Sequence, residues 1–366
     1  MAFGYSPFTI KFYKVENQNF YAIGLMSGTS LDGLDICYSK FTKNNSNWNF
    51  EILKCETIAY SSEWEDDLKN AIHFSSEKLW QLNSDYGFFL GEKTQEFIIK
   101  NNIANLDLIA SHGHTVFHQP KNKFTLQIGD GRAIKIKTNK TVVYDFRSQD
   151  VLLGGNGAPL VPIGDELLFD EFDACLNLGG FSNISLKRDG KRIAFDICPV
   201  NIILNDLALK LGKKYDENGD LARSGIIDYE LLNELNQLNF YQEKAPKSLG
   251  IEWINAQVLP LIKNQKSEDL LATFTEHSAV QIAKILEEFD IKNVLITGGG
   301  TYNSYLIEKI KAKTKTEIQV PAREIIEYKE ALIFAFMGVL RSLNLNNVLS
   351  SATGSLTDHS SGLVIN

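Results

Sequence analysis

A chain of 366 residues, 44% hydrophobic and 22% charged, is long enough for two domains of ordinary globular composition, each with its own core. Its formal net charge of −8 and lack of a long basic block argue against a nucleic-acid or anionic-membrane surface, so an anionic ligand would have to be held by local N–H groups and a cation. The N-terminus (MAFGYSPFTIKFYKVEN) has no basic region followed by an apolar core, no apolar run reaches about 18 residues, and Cys37, Cys55, Cys175 and Cys198 form no CxxC pair, which together predict a cytoplasmic protein with buried, reduced thiols.

The first stretch with chemistry is GLMSGTSLDGLD, Gly24 to Asp35, entered through Phe20–Ile23 and left through Leu34, Ile36, Cys37 and Tyr38, so it reads as the turn between two strands. Eight of its twelve residues are Gly, Ser, Thr or Asp, more than a hairpin turn demands. Gly28 and Gly33 can take φ > 0 and let N–H groups converge, while Ser27, Thr29 and Ser30 add hydroxyl donors, a lining suited to phosphate oxygens. No GK[ST] follows and the next element is a strand, which sets it apart from the phosphate loop that opens a helix. Trp48 to Tyr60 predicts a third strand, helices begin at Ser61-Ser62 and near Ser75-Ser76, and Leu106 to Ala110 is a short buried strand. This alternation predicts an α/β sheet with its ligand at the carboxyl ends of the strands.

The strand delivers SHGHTVFHQP to that edge. His112, His114 and His118 would suit zinc, but a Cys, a fourth ligand and a Glu-x-x-His helix are missing, and hydrogen bonding to sugar hydroxyls or positioning of the loop is the better reading. Next come a strand from Phe124, a turn at Gly129–Gly131, a short helix, the strand Thr141 to Tyr144, then Arg147 between Asp145 and Asp150. Taken alone, Arg147 is expected to pair with one of those aspartates; its guanidinium also suits a ligand carboxylate. The cluster Gly154, Gly155, Gly157, Pro159 and Pro162 reads as a crossover between domains, 1–150 and 151–366, with the C-terminal tail able to pack back on the first.

The second half repeats the design. Ala174 to Leu178 is a strand, Gly179-Gly180-Phe181-Ser182-Asn183 a polar turn, and Ile184 to Lys187 the returning strand, about 150 residues after the first such unit, as expected of two similar domains facing a cleft. Arg192 to Phe195 is a strand ending at Asp196, which is placed either as a general base or as the cap of the helix that follows. Pro246, Lys247 and Ser248 bind a ligand or fix a turn, with the turn preferred. Asp269 to Phe289 is a core helix, Asn293 to Thr297 a buried strand, and Gly298-Gly299-Gly300 before a helix would let an adenosine lie on bare backbone, or else serve tight packing. Glu330 opens a helix read as Glu330 to Arg341, where the dipole favours an acidic residue in the first turn.

GLMSGTSLDGLD resembles the phosphate hairpin of the anhydro-N-acetylmuramic acid kinases, a bacterial branch of the sugar kinase, Hsp70 and actin superfamily. SHGHTVFHQP, DFRSQD, GGNGAPLVP, NLGGFSN, FDICPVN, APKSLGIEWIN and VLITGGGTYN resemble further segments of the family, in the family's order. The resemblance implies two actin-like (ribonuclease H-like) α/β domains of mixed sheet and helices around a cleft. It further implies ATP-dependent phosphorylation of 1,6-anhydro-N-acetylmuramic acid at O6 with opening of the anhydro bridge by water, giving N-acetylmuramic acid 6-phosphate and ADP for peptidoglycan recycling. On this resemblance Asp196 is the catalytic base. Ser27, Gly28, Thr29, Ser30, Leu31, Asp32, Gly33, Leu34, Gly179, Gly180, Ser182, Asn183, Gly298, Gly299 and Gly300 line the ATP site, and His112, Arg147 and Glu330 the sugar site. Mg²⁺ and a homodimer are expected, with Asp32 a candidate to hold the metal through water. Cys198 and Val200 replace two family glycines, where side chains would crowd a close backbone; this keeps open a kinase of the same fold for another amino sugar. A nucleotide-binding module without transfer activity is the other alternative.

Overall fold

The computed structural model describes residues 18–28 and 31–366; Thr29 and Ser30, two of the expected phosphate ligands, lie outside the described residues. The chain opens with β1 (Gln18–Ser27), β2 (Leu34–Asn44) and β3 (Asn47–Ile58), an antiparallel meander. The two expected helices follow as Ser62–Asn70 and Ser76–Lys100, their first turns capped by the Ser61 and Ser75 hydroxyls. Then come β4 (Leu108–Ser111), the small hairpin β5 (His114–Gln119) and β6 (Phe124–Ile128), the helix Gly131–Thr138 and β7 (Thr141–Tyr144). β4 lies parallel to both β1 and β7.

The second sheet is built from β8 (Ala174–Leu178), β9 (Phe181–Arg188), β10 (Lys191–Pro199), β11 (Asn293–Thr297) and β12 (Glu317–Gln319), in the order β10-β9-β8-β11-β12. Its pairings are antiparallel for β10/β9 and β9/β8, parallel for β8/β11 and β11/β12. The first sheet runs β3-β2-β1-β4-β7 with the same senses, so the two halves share one actin-like topology, as the sequence predicts. A last strand, β13 (Leu363–Ile365), joins antiparallel to β7, so the chain's end completes the first sheet.

Each face of the first sheet carries its own core. Ile23, Leu25, Ile109 and Val142 pack with Tyr86, Leu90 and Phe97 of the helix Ser76–Lys100, as strand alternation requires. The opposite face, with Ala22, Leu108, Ala110 and Val143, receives the helix Arg323–Ser342 through Ala331, Ala335, Phe336 and Leu340. That helix approaches so closely that a Cβ built on Gly24 would overlap the carbonyl oxygen of Ala331, while Gly338 lies against Ala110 and Leu108. Starting at Arg323, it places Glu330 well past its first turn, so the expected first-turn position is corrected. The polar opening REIIEYK conceals the start, because only Ile326 and Lys329 of that run are buried.

Two ion pairs tie the short helix Pro162–Leu167 to both sides. Lys329 meets Asp165 at 2.7 Å from the last long helix, and Arg192 of β10 meets Glu166 at 2.7 Å. The four cysteines are free; although distant in sequence, Cys37 and Cys55 stand opposite each other in β2 and β3. Because backbone occupies the space a methyl group would need, Gly24→Ala should destabilise the protein by about 1–3 kcal/mol, read as a lower denaturant midpoint; an unchanged midpoint would contradict the close packing of β1 on the helix.

Candidate active site

In both sheets the residues with chemistry gather at one edge, the carboxyl ends of the central parallel strands. Gly28 follows β1, His112 follows β4, and Asp145 to Arg147 follow β7; Gly179 follows β8 and Gly298 follows β11. In the first turn Leu31 (φ 59°) and Gly33 (φ 145°) both hold positive φ, Leu31 doing so despite its side chain. A Cβ at Gly33 would also meet Ile58 O at 2.6 Å.

Ser27 departs from the expected role. Its hydroxyl is buried, accepts from Tyr60 Oη (2.8 Å) and lies 3.2 Å from His114 Nδ1, while Tyr60 Oη lies 2.7 Å from Tyr86 Oη. Burial pushes both tyrosines up and His114 down to about 4, so all are neutral near pH 7. Each hydroxyl has one proton, which orders the chain Tyr86 to Tyr60 to Ser27 to His114 Nδ1 and puts the histidine proton on Nε2. Ser27 therefore has only its backbone to offer a phosphate.

Asp35 is pushed up to about 6, first by burial and then by Glu330, Asp32 and Glu327; the hydrogen bond from Thr57 (2.6 Å) opposes the rise. Desolvation by the surrounding chain raises the Glu330 carboxyl, against the pull of Arg147 and Lys329. Arg147 forms no ion pair with Asp145 or Asp150 within 4 Å, contrary to what its neighbours in sequence suggest. Asp145 Oδ1 instead accepts from Ser148 N, and Asp150 accepts from Gly157 N and Thr353 Oγ1. Arg147 donates from Nε to His112 Nε2 (2.9 Å) and from Nη1 to Gly157 O (3.3 Å), leaving Nη2 unengaged among the described residues. His112 in turn donates from Nδ1 to Gly113 O (2.8 Å), and burial together with Arg147 holds it far below the usual histidine range. With both nitrogens taken, His112 holds Arg147 in place and has none left for a sugar hydroxyl. Among the described residues no three His, Cys, Asp or Glu side chains converge as a metal cluster, and no helix is long and apolar enough to cross a membrane.

On the second sheet the polar turn is shorter than expected: Ser182 and Asn183 already belong to β9. The carbonyls of Gly179 and Gly180 accept from Val200, Asn201 and Ile202 at the start of the helix Asn201–Lys210, and among the described residues the two glycine N–H groups have no partner. Ser182 is fully enclosed, donating to Cys198 O (3.1 Å) and accepting from Cys198 N (3.2 Å), so its hydroxyl ties β9 to β10. Asn183 stands opposite Asn177 on one side and Asp196 on the other, and directly opposed residues share a face. The row Asn177, Asn183, Asp196 thus crosses three strands. Asn177 was missed from sequence; its signal was a lone amide inside the apolar strand ACLNL.

Asp196 lies within β10, three residues before its end, at a bulge where the register with β9 shifts between Asp196 and Cys198. Its Oδ2 accepts from Leu249 N (2.8 Å), leaving Oδ1 unengaged among the described residues; burial raises its pKa and the Leu249 bond lowers it. Cys198 and Val200 turn into the core instead of crowding the edge, with burial pushing the thiol up to about 12. Of the three glycines after β11, Gly298 (φ 85°) is pressed between Asn177 and Leu178 and Gly300 against Leu178, whereas Gly299 faces open space.

The family model described as anhydro-N-acetylmuramic acid kinase matches residues 20–366. The chain belongs to that family. Relatives named anhydro-N-acetylmuramic acid kinase include one from Francisella tularensis subsp. novicida, 32% identical over 91% of this chain and 95% of its own length, and one from Clostridioides difficile, 35% identical with the same coverage. Among solved structures, the activator of the 2-hydroxyisocaproyl-CoA dehydratase from Clostridium difficile with bound ADPNP is 14% identical, with 88% of this chain and 97% of that one covered at a TM-score of 0.42, too low to bear on function.

In this anhydro-N-acetylmuramic acid kinase family member the buried neutral histidines have a cost in acid. A histidine held near 4 in the folded state but at about 6.5 unfolded takes its proton first in the unfolded chain, so stability is lost as pH falls from 6.5 toward 4, by about 3 kcal/mol for His114. His114→Gln keeps an acceptor for Ser27 without a titrating group. The unfolding free energy of this variant should fall less between pH 7 and 4 than that of the wild type; equal slopes would contradict a neutral His114.

Proposed function

We propose that this protein transfers the γ-phosphoryl group of ATP to O6 of 1,6-anhydro-N-acetylmuramic acid while water opens the anhydro bridge, giving N-acetylmuramic acid 6-phosphate and ADP in cell-wall recycling. The observation that carries it is Asp196, a partly desolvated carboxylate with one oxygen held by Leu249 N–H, the other unengaged among the described residues, and opposite Asn183 in the sheet. The free oxygen takes a proton from water as that water bonds to the anomeric carbon. The bond from the anomeric carbon to O6 breaks, O6 attacks the γ-phosphorus, and ADP leaves. The N–H groups of Gly179 and Gly180 and the β1–β2 turn (Gly28 to Leu34, with Thr29 and Ser30) line the phosphates, and open backbone at Gly299 receives the adenosine.

A divalent cation suits the carboxylates by the first turn: Asp32 and Asp35, the latter pushed up to about 6 first by burial and then by nearby carboxylates, would supply the hard oxygen donors that Mg²⁺ prefers, directly or through water. When bound, Mg²⁺ would offset charge on the transferring phosphoryl group. Arg147, aimed by His112, and Glu330 are proposed to hold the sugar, the guanidinium engaging its lactyl carboxylate. Closure of two lobes, the first drawing on the last helix and β13 as well as residues 18–150, would exclude bulk water. We place the protein in the cytoplasm as a homodimer. Because Cys198 and Val200 face the core, they supply no support for a different amino sugar.

Asp196→Asn should lower sugar-dependent ADP formation by about 10²–10⁴-fold while nucleotide binding persists. In the wild type, turnover should fall on the acid side as the raised carboxyl of Asp196 takes a proton. A coupled ADP assay with and without the anhydro sugar reads both; near-normal turnover in the variant would remove Asp196 from the mechanism.

A further inference from the structure

Asp196 is attached to a distant segment of chain by two bonds. Its N–H donates to Lys247 O (2.9 Å), and its Oδ2 accepts from Leu249 N (2.8 Å). The second bond fixes the plane of the carboxylate and thereby aims the free oxygen. Whatever holds residues 247–249 in place therefore also aims Asp196. The run Glu243 to Ser248 is largely exposed, with Glu243, Lys244, Pro246 and Ser248 all open to solvent.

One side chain of that run fastens it. Lys247 is half-buried; its ammonium donates to Phe240 O (2.8 Å) and sits 4.5 Å from the centre of the Phe240 ring. The attachment point is rigid. Phe240 is buried, with its ring 5.5 Å from that of Trp253 and 5.6 Å from that of Tyr241. Tyr241 Oη lies 2.8 Å from His277 Nε2, and His277 Nδ1 lies 2.8 Å from Asn236 Oδ1 on the other side. An amide oxygen can only accept, so Nδ1 carries the histidine proton and Nε2 accepts from the tyrosine. Burial lowers the Lys247 ammonium from its ordinary range, with Glu243 and Glu288 opposing the fall, and its donor is directed at the Phe240 carbonyl.

We propose that Lys247 is a positioning residue for Asp196: by pinning its own segment to Phe240 it holds Leu249 N–H against one carboxylate oxygen and so orients the other toward the attacking water. The proposal rests on Asp196 acting as the base. It differs from a direct ligand role for Lys247, in which the ammonium would bind sugar or phosphate and its loss would appear in KM.

Lys247→Met keeps the apolar stem and removes the donor and the charge; Lys247→Arg keeps both. In the Met variant kcat should fall by about 10–100-fold with KM for sugar and ATP unchanged, and the acid limb of the kcat profile should move to higher pH, because the Leu249 bond that lowers Asp196 is loosened. The Arg variant should restore both. A carbon-13 carboxyl titration by NMR, with the Asp196 signal assigned by its loss in Asp196→Asn, reads the same shift without turnover. The proposal is overturned if folded Lys247→Met keeps the wild-type kcat and titration midpoint, or if only its KM rises. Should that variant fail to fold, Lys247→Gln, too short to reach Phe240 O, takes its place in the titration, and an unchanged midpoint there overturns the proposal as well. Absence of sugar-dependent ADP formation in the wild type would instead defeat the kinase reading, leaving the titration to judge the contact.

Discussion

The contact on which the first lobe depends is the approach of the helix Arg323–Ser342 to β1, where Gly24 lies against the Ala331 carbonyl with no room for a methyl group. An α-carbon hydrogen at that position lets helix backbone settle onto sheet backbone, and the alanines around it, Ala22, Ala110, Ala331 and Ala335, keep the layer thin. This layer brings a carboxylate from late in the chain, Glu330, close enough to raise Asp35 and to oppose the fall of Arg147. The same helix carries Lys329 to Asp165, while the neighbouring Glu166 holds Arg192 of β10, so the second sheet is tied to the helix through a short charged relay.

Both lobes use their polar side chains mainly to position other groups. Ser27, Tyr60, Tyr86 and His114 satisfy one another under the first turn, and Ser182 does the same for the bulge beyond Asp196. Buried hydroxyls need partners, and a partner that is itself neutral adds no charge to a low-dielectric interior. His112 follows this logic: as a neutral acceptor it fixes Arg147 at Nε and leaves Nη2 unengaged among the described residues. Among the described residues, what the two turns offer to the proposed phosphate is largely backbone N–H, as suits a protein of net charge −8.

The second lobe concentrates its chemistry in a row across three strands. Asn177 lies against both Gly179 and Gly298, so one amide connects the proposed phosphate turn with the proposed adenosine turn, and Asn183 carries the row to Asp196. The bulge after Asp196 lets the chain turn Cys198 and Val200 inward while Asp196 remains partly accessible. The two residues that depart from the family pattern therefore change the packing beneath the edge and leave the edge itself clear.

Local signals were enough for much of this. Strand alternation, serine caps and glycine turns located β1 through β4, both early helices, β8 and β11 to within a few residues, because each is set by neighbours in sequence, and the repeated strand-turn-strand unit announced two like lobes. The order of family-like segments was legible for the same reason. Which hydroxyl faces a ligand was decided elsewhere: Ser27 and Ser182 look like phosphate donors in sequence, and only the arrival of Tyr60, His114 and the Cys198 backbone turns them inward. The bond between Arg147 and His112 and the anchoring of Asp196 by Leu249 join residues 35 and 53 positions apart, and the Asn177 row is set by strand register. Sequence spacing determines the periodicity and turns of each element; the direction in which a polar group points is set by whichever distant partner satisfies it, and that is a property of the folded chain alone.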